Sequence, residues 1–166
     1  LPESQSLREG IKSEIAGIVD KGGDSYYHFY MALSPKKVCI VYTENPDILR
    51  TARILERILT QWGCKITMKL AAQVRIPDLT PVDFMLFGAE DGISLPNSSY
   101  KELYRSFQGV NFAGRKGALF STSSAGIEAL RRMVQDSELE LVRPSLIVKE
   151  DTRDKIVETW LQGLLE

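Results

Sequence analysis

Histidine is nearly absent from this chain, with His28 its single representative among 166 residues, and cysteine occurs only at Cys39 and Cys64. Two thiols make neither the disulfide framework of a small secreted domain nor a metal-binding set, so reduced thiols in a cytoplasmic setting are the expectation. An excess of either charge is missing as well. The 21 basic and 22 acidic side chains are interspersed and leave a net charge of −1. Without a basic footprint, neither nucleic acid nor an anionic membrane is expected as a partner. Long apolar runs are lacking, which excludes a membrane span, and the first residues do not follow the charged-then-apolar layout of a secretory signal. Repeats and low-complexity tracts are absent too. Ser121, Ser123 and Ser124 sit in no GxSxG elbow and have no evident base, since His28 lies far away in sequence. Hydrolase chemistry is therefore not expected, and no residue qualifies as catalytic.

What is present is an ordinary globular composition, 43% hydrophobic and 26% charged, enough for one domain with a full core. Leu7, Ile11, Ile15 and Ile18 recur at helical spacing and predict an N-terminal amphipathic helix over 4–20, stopped by "DKGGD". "SYYHFYMAL" follows, with five rings at consecutive positions from Tyr26 to Tyr30. So apolar a segment either packs on its own domain or meets another chain. Residues 1–35 thus form an extension, and 36–166 the main domain. In that domain short apolar runs alternate with helical patterns: "KVCIVY" (37–42), "KITMKL" (65–70), "DFMLFG" (83–88), "GALFST" (117–122) and "LIVKE" (146–150). Continuous apolar strands joined by helices predict a parallel sheet covered on both faces, a doubly wound α/β fold. The first helix carries Ile48, Ala52, Leu55, Leu59 and Trp62 on one face. The last carries Ile156, Trp160 and Leu164, with Val157 and Leu161 beside them.

From about Lys36 to the end, roughly four-fifths of the chain, this order of features resembles the flavodoxins. "KKVCIVYTEN" with "TARILERILTQWGCKI" looks like that family's first strand and helix. "VDFMLFGAEDGISLPNSSYKELYRSFQGVNFAGRKGALFST" is similar to its third strand, loop, helix and fourth strand. "GIEALRRMV" and "ELVRPSLIVKEDTRDKIVETWLQGLL" match its closing elements. The resemblance implies a five-stranded sheet in the order 2-1-3-4-5, with any ligand beyond the strand carboxyl ends, at the switch point between strands one and three. It also implies flavin mononucleotide (FMN) as cofactor, with a T-x-T-G-x-T phosphate loop.

This chain departs from that loop. It reads Thr43, Glu44, Asn45, Pro46, Asp47, Ile48, and of these Thr43 alone fits. Pro46 has no N–H, and Ile48 has no hydroxyl. Glu44 and Asp47 add carboxylates where a doubly charged anion should go; like charges about 4 Å apart repel by roughly 1 kcal/mol even in water. The same residues read well as a self-capped helix start, with Asn45 as N-cap, Pro46 at the first position and Asp47 in the first turn. The loops expected to grip the flavin ring, "AEDGISLP" (89–96) and "STSSAGIE" (121–128), hold no aromatic residue, and the second leads at once into a helix capped by Ser123 or Ser124. Receiver domains share the sheet order, and Thr122 and Lys149 fall at the ends of strands four and five much as that family's switch and lysine residues do, but Gly88 stands where their phosphoacceptor aspartate belongs. The acidic set Glu44, Glu90, Asp91, Glu150 and Asp151 reads as a solvated rim rather than a Mg²⁺ or Ca²⁺ site.

Two readings follow. In the first, the domain has lost ordinary flavin binding and acts through protein contacts, as a homodimer or with a partner, using residues 1–35 or the former cofactor edge. In the alternative it is an FMN-binding electron carrier. Any ligand at the strand ends would meet Thr43, Glu44, Asn45 and Asp47 in the first loop. It would meet Gly88, Ala89, Glu90 and Asp91 in the second, and Ser121, Thr122, Ser123 and Ser124 in the third.

Overall fold

The computed structural model of the chain describes residues 36–92 and 94–165. The expected helix over 4–20, the ring cluster from Tyr26 to Tyr30 and the whole 1–35 extension lie outside the described residues.

Strand β1 (Lys37–Tyr42) runs into helix α1 (Pro46–Gln61), which returns to β2 (Lys65–Leu70). A four-residue helix, α2 (Ile76–Leu79), precedes β3 (Phe84–Ala89). Then come a short 3₁₀ turn, α3 (Lys101–Ser106), β4 (Lys116–Ser121) and α4 (Ser124–Val134). Two brief strands, β5 (Glu140–Leu141) and β6 (Leu146–Ile147), lead to the closing helix α5 (Asp154–Leu165). All pairings are parallel, and the sheet order is β2-β1-β3-β4-β5 with β6 also paired to β4. The expected doubly wound α/β sheet, in the order 2-1-3-4-5, is what forms.

The central strands are buried on both faces because helices cover both. Val38, Ile40, Phe84, Leu86, Ala118 and Phe120 pack under α1 and α5, while Cys39, Val41, Met85, Phe87 and Leu119 pack under the opposite layer with Tyr100, Leu130 and Met133. That is why these strands read as continuous apolar runs. Helix α1 buries Ile48, Ala52, Leu55 and Leu59 as expected, and ends with Trp62 as C-cap and Gly63 at φ 86°. Gly63 N donates to Thr60 O and Cys64 N to Leu59 O, each at 3.0 Å, a Schellman closure that needs the left-handed conformation glycine adopts freely. An ion pair between Arg57 and Asp154 ties α1 to α5.

Two expectations are corrected. The fifth strand is not one run over 146–150 but two short pieces, because Pro144 between them has no N–H to offer β4. The excursion is held instead by Trp160, whose Nε1 donates to Pro144 O at 2.7 Å. On α5, Val157, Trp160, Leu161 and Leu164 form the buried stripe, whereas Ile156 is 49% exposed. It lies one residue, or about 100° of rotation, outside that i, i+3, i+4, i+7 set. Among the described residues, no helix is long and apolar enough to cross a membrane.

Candidate functional site

The carboxyl ends of β1, β2 and β3 open into a cleft of about 580 Å³. Its walls are Tyr42, Thr43, Glu44 and Asn45 after β1, Leu70, Ala71 and Ala72 at β2, and Glu90, Asp91 and Gly92 after β3. Ser94, Ser98 and Ser99 complete it, and among the described residues no lysine or arginine lines it. Of the candidate residues, Thr43, Glu44, Asn45, Glu90 and Asp91 are brought together here. Asp47 is not, because its Oδ1 lies 3.0 Å from Arg50 Nη1, so Glu44 is the first loop's carboxylate in the cleft. Gly88 and Ala89 are buried within β3. Ser121 is buried at the end of β4, and Thr122, Ser123 and Ser124 lead into α4 outside the cleft.

The start of α1 satisfies itself. Asn45 Oδ1 accepts from Asp47 N at 3.0 Å and Ile48 N at 3.3 Å, Leu49 N donates to Asn45 O at 2.9 Å, and Pro46 has no N–H. No first-turn donor is left for a phosphate, although a helix N-terminus is otherwise suited to one. Arg50 adds a second tie, donating from Nη2 to Lys149 O at 2.8 Å. Its Nε is buried without a partner, but Arg50 lines an outer groove with Pro46, Leu49, Arg53, Ile54 and Arg57, not the cleft.

The three loops are also fastened to one another. Thr43, itself 3% exposed, donates its hydroxyl to Glu90 Oε2 at 2.5 Å, joining the loops after β1 and β3. Asp91 N donates to Thr122 Oγ1 at 2.7 Å, and Ser123 Oγ donates to Asp91 Oδ1 at 2.6 Å, joining the loops after β3 and β4. Ser123 is at the same time the N-cap of α4, accepting from Gly126 N at 3.1 Å. Helix α4 therefore sits directly on the strand end: a Cβ at Gly126 would lie 1.9 Å from Ser121 Oγ and 3.2 Å from Glu90 O. The loops after β3 and β4 are thus joined by their own hydrogen bonds, and the first turn of α1 turns its N–H groups to Asn45, so as placed these residues do not fit the grip on phosphate and ring that the resemblance implies.

Sequence reasoning missed two parts of the site. Ala71 and Ala72 follow β2, which neighbours β1 on the far side of the switch point, so the rule placing ligands at strand carboxyl ends extends to them. Tyr100 was hidden beyond the loop that lacks aromatics. It is fully buried beneath the cleft, and its hydroxyl donates to Gly88 O at 2.7 Å while standing 3.4 Å from Val41 O, which pins β1 to β3 just below their ends. Burial, reinforced by the Glu90 carboxylate, pushes its pKa well above the ordinary 10.0. Among the described residues, no group of three or more His, Cys, Asp or Glu is placed to hold a metal ion.

No family model matches this chain, and no curated protein does. Solved structures do. Oxidised flavodoxin 2 from Bacillus cereus aligns with a TM-score of 0.66 at 14% identity, over 78% of this chain and 97% of that one. Flavodoxin 1 from the same organism aligns with a TM-score of 0.63 at 21% identity, over 76% and 92%. Fusobacterium nucleatum flavodoxin bound to flavin mononucleotide aligns with a TM-score of 0.59 at 10% identity, over 78% and 97%. The fold is flavodoxin-like, and at these identities the sequence has diverged far from those neighbours.

Proposed function

We propose that this chain is a flavodoxin-fold domain that does not hold FMN in the ordinary way and acts through contact with a protein partner at the carboxyl edge of its sheet. One observation carries the reading: Asp91, Thr122 and Ser123 clasp together the two loops that would have to part around a flavin ring. The self-capped start of α1 supports it from the phosphate side. A cleft whose charged side chains are Glu44, Glu90 and Asp91 suits a basic segment of the partner rather than an anionic cofactor. A reducing, cytoplasmic setting suits its two buried free thiols.

Titration with FMN, read by quenching of flavin fluorescence, is expected to stay flat to several hundred micromolar, far weaker than the roughly −8 kcal/mol of micromolar binding. The Pro46→Gly, Asp47→Asn, Ile48→Thr variant is expected to stay flat too, because the clasp remains, and to bind only once Asp91→Gly is added. Micromolar binding by the parent would instead make the protein an FMN-binding electron carrier.

Partner chemistry is tested separately with a labelled octalysine peptide in a low-salt buffer. At about 0.5 kcal/mol per exposed charge, replacing Glu44, Glu90 and Asp91 by their amides together is expected to weaken binding roughly tenfold. An unchanged affinity would place any basic contact elsewhere on the surface.

A further inference from the structure

The outward face of α1 carries a groove of about 430 Å³ lined by Pro46, Leu49, Arg50, Arg53, Ile54 and Arg57. At about 100° per residue, its three arginines fall within about 60° of one another and opposite the buried Ile48, Ala52, Leu55 and Leu59. They form a basic stripe over about 10 Å of helix. Arg50 and Arg57 are held by Asp47 and Asp154, whereas Arg53 is exposed and, among the described residues, joins no ion pair.

The cleft beside it has the opposite charge. Glu44, Glu90 and Asp91 line that cleft, and the hydroxyls of Thr43 and Ser123 that bind Glu90 and Asp91 bring no positive charge to offset them. The two patches meet at consecutive residues, since Asn45 lines the cleft and Pro46 the groove. Three carboxylates thus lie beside three guanidinium groups on one surface. Such a surface is self-complementary: a two-fold axis along the boundary lays the acidic half of each copy on the basic half of the other, so every attraction is made twice. Arginine suits the role, because its planar fork meets a carboxylate through two N–H groups. Pro46 and Leu49 add apolar area to the basic half.

We infer that the partner of the cleft is a second copy of this chain, docked about that two-fold with the Arg50, Arg53 and Arg57 face of α1 against the acidic cleft. The inference rests on the reading of the cleft as a site for a basic segment, and it names that segment. The assembly closes as a dimer, because both halves of each copy are used and neither is left for a third.

Sedimentation of the full chain tests it. A dimer is expected in about 0.01 M salt and a monomer in about 1 M, as the screening length shortens from roughly 30 Å to roughly 3 Å. Arg53→Glu and Glu44→Arg, both at exposed positions, are each expected to weaken the dimer about thirtyfold, since the two-fold turns an attraction into a repulsion at two places. Mixing the two variants in equal amounts is expected to restore a dimer, now of unlike chains, because each reversed charge meets its opposite. A parent that stays monomeric in low salt, or a dimer that both variants leave intact, would overturn the inference. Octalysine binding to the Arg53→Glu chain, whose cleft is unaltered, separates the two levels: if it persists while the parent is monomeric, the dimer alone fails, and if it is lost as well, the reading of the cleft fails with it.

Discussion

Above pH 9 this protein is expected to lose stability steeply, and the loss traces to protons held inside the sheet. Burial, with a smaller push from Asp78 and opposed by Lys69, raises the Cys39 thiol from 9.0 to about 12. Cys64 is raised from 9.0 as well, chiefly by burial, and Tyr100 is raised well above 10.0. A thiol that keeps its proton when folded but releases it when unfolded favours the unfolded state once the pH passes the unfolded pKa. The stability is therefore fully present below pH 9 and falls as pH rises toward the folded value. Each such group contributes a slope of up to about 1.4 kcal/mol per pH unit. Across the three-unit window of Cys39, that is on the order of 4 kcal/mol from one side chain, against total stabilities of roughly 5–15 kcal/mol for domains of this kind. Urea midpoints measured by circular dichroism from pH 8 to 11 should fall progressively. Cys39→Ala should start lower, because it leaves a small cavity, yet show a shallower decline by about one proton. An identical slope in that variant would mean the thiol does not carry the effect.

How far the sequence could be read depended on how local the determining physics is. Strands β1 and β2 stand where their apolar runs placed them, and β3 and β4 are displaced by one residue at each end. Burial on both faces leaves no periodicity to mark a boundary there. Caps were legible because they act over three residues: Asn45 holds the first turn of α1, and Ser123 that of α4. The break in the fifth strand was legible in principle from Pro144, which had to interrupt any ladder through it. The clasp was not legible. Thr43 and Glu90 are 47 residues apart, Asp91 and Thr122 are 31 apart, and Ser123 meets Asp91 across 32. Serines, threonines and carboxylates in loops pair in too many ways for sequence to choose one. Of the two carboxylates in the first loop, Glu44 lines the cleft, while Asp47 is drawn to Arg50 by i, i+3 spacing that the sequence did display.

Gly88→Ala is expected to destabilise the domain by about 1–3 kcal/mol, the cost of overpacking a full core, even though alanine normally improves on glycine in a strand. Gly88 pairs with Phe120 across β3 and β4, and a Cβ there would stand 2.2 Å from Phe120 Cε2 and 2.3 Å from Cζ. The ring is itself fully buried, packed in the layer beneath α1 and α5, so it can move only by displacing neighbours. Shortening it relieves the clash. Phe120→Ala alone should cost about 3–5 kcal/mol, while the double variant should cost less than the two single changes added together, with a coupling of about 1–3 kcal/mol by urea unfolding. Strict additivity would show that the ring does not set the requirement for glycine. The outcome bears on the site as well as on the core. A glycine at the end of β3, beside a predicted ligand loop, invites the reading that a cofactor approaches the backbone there. Here the space that its missing side chain leaves is filled by Phe120, and its carbonyl is taken by Tyr100. The glycine serves the sheet's own packing, at the strand end from which Glu90 meets Thr43.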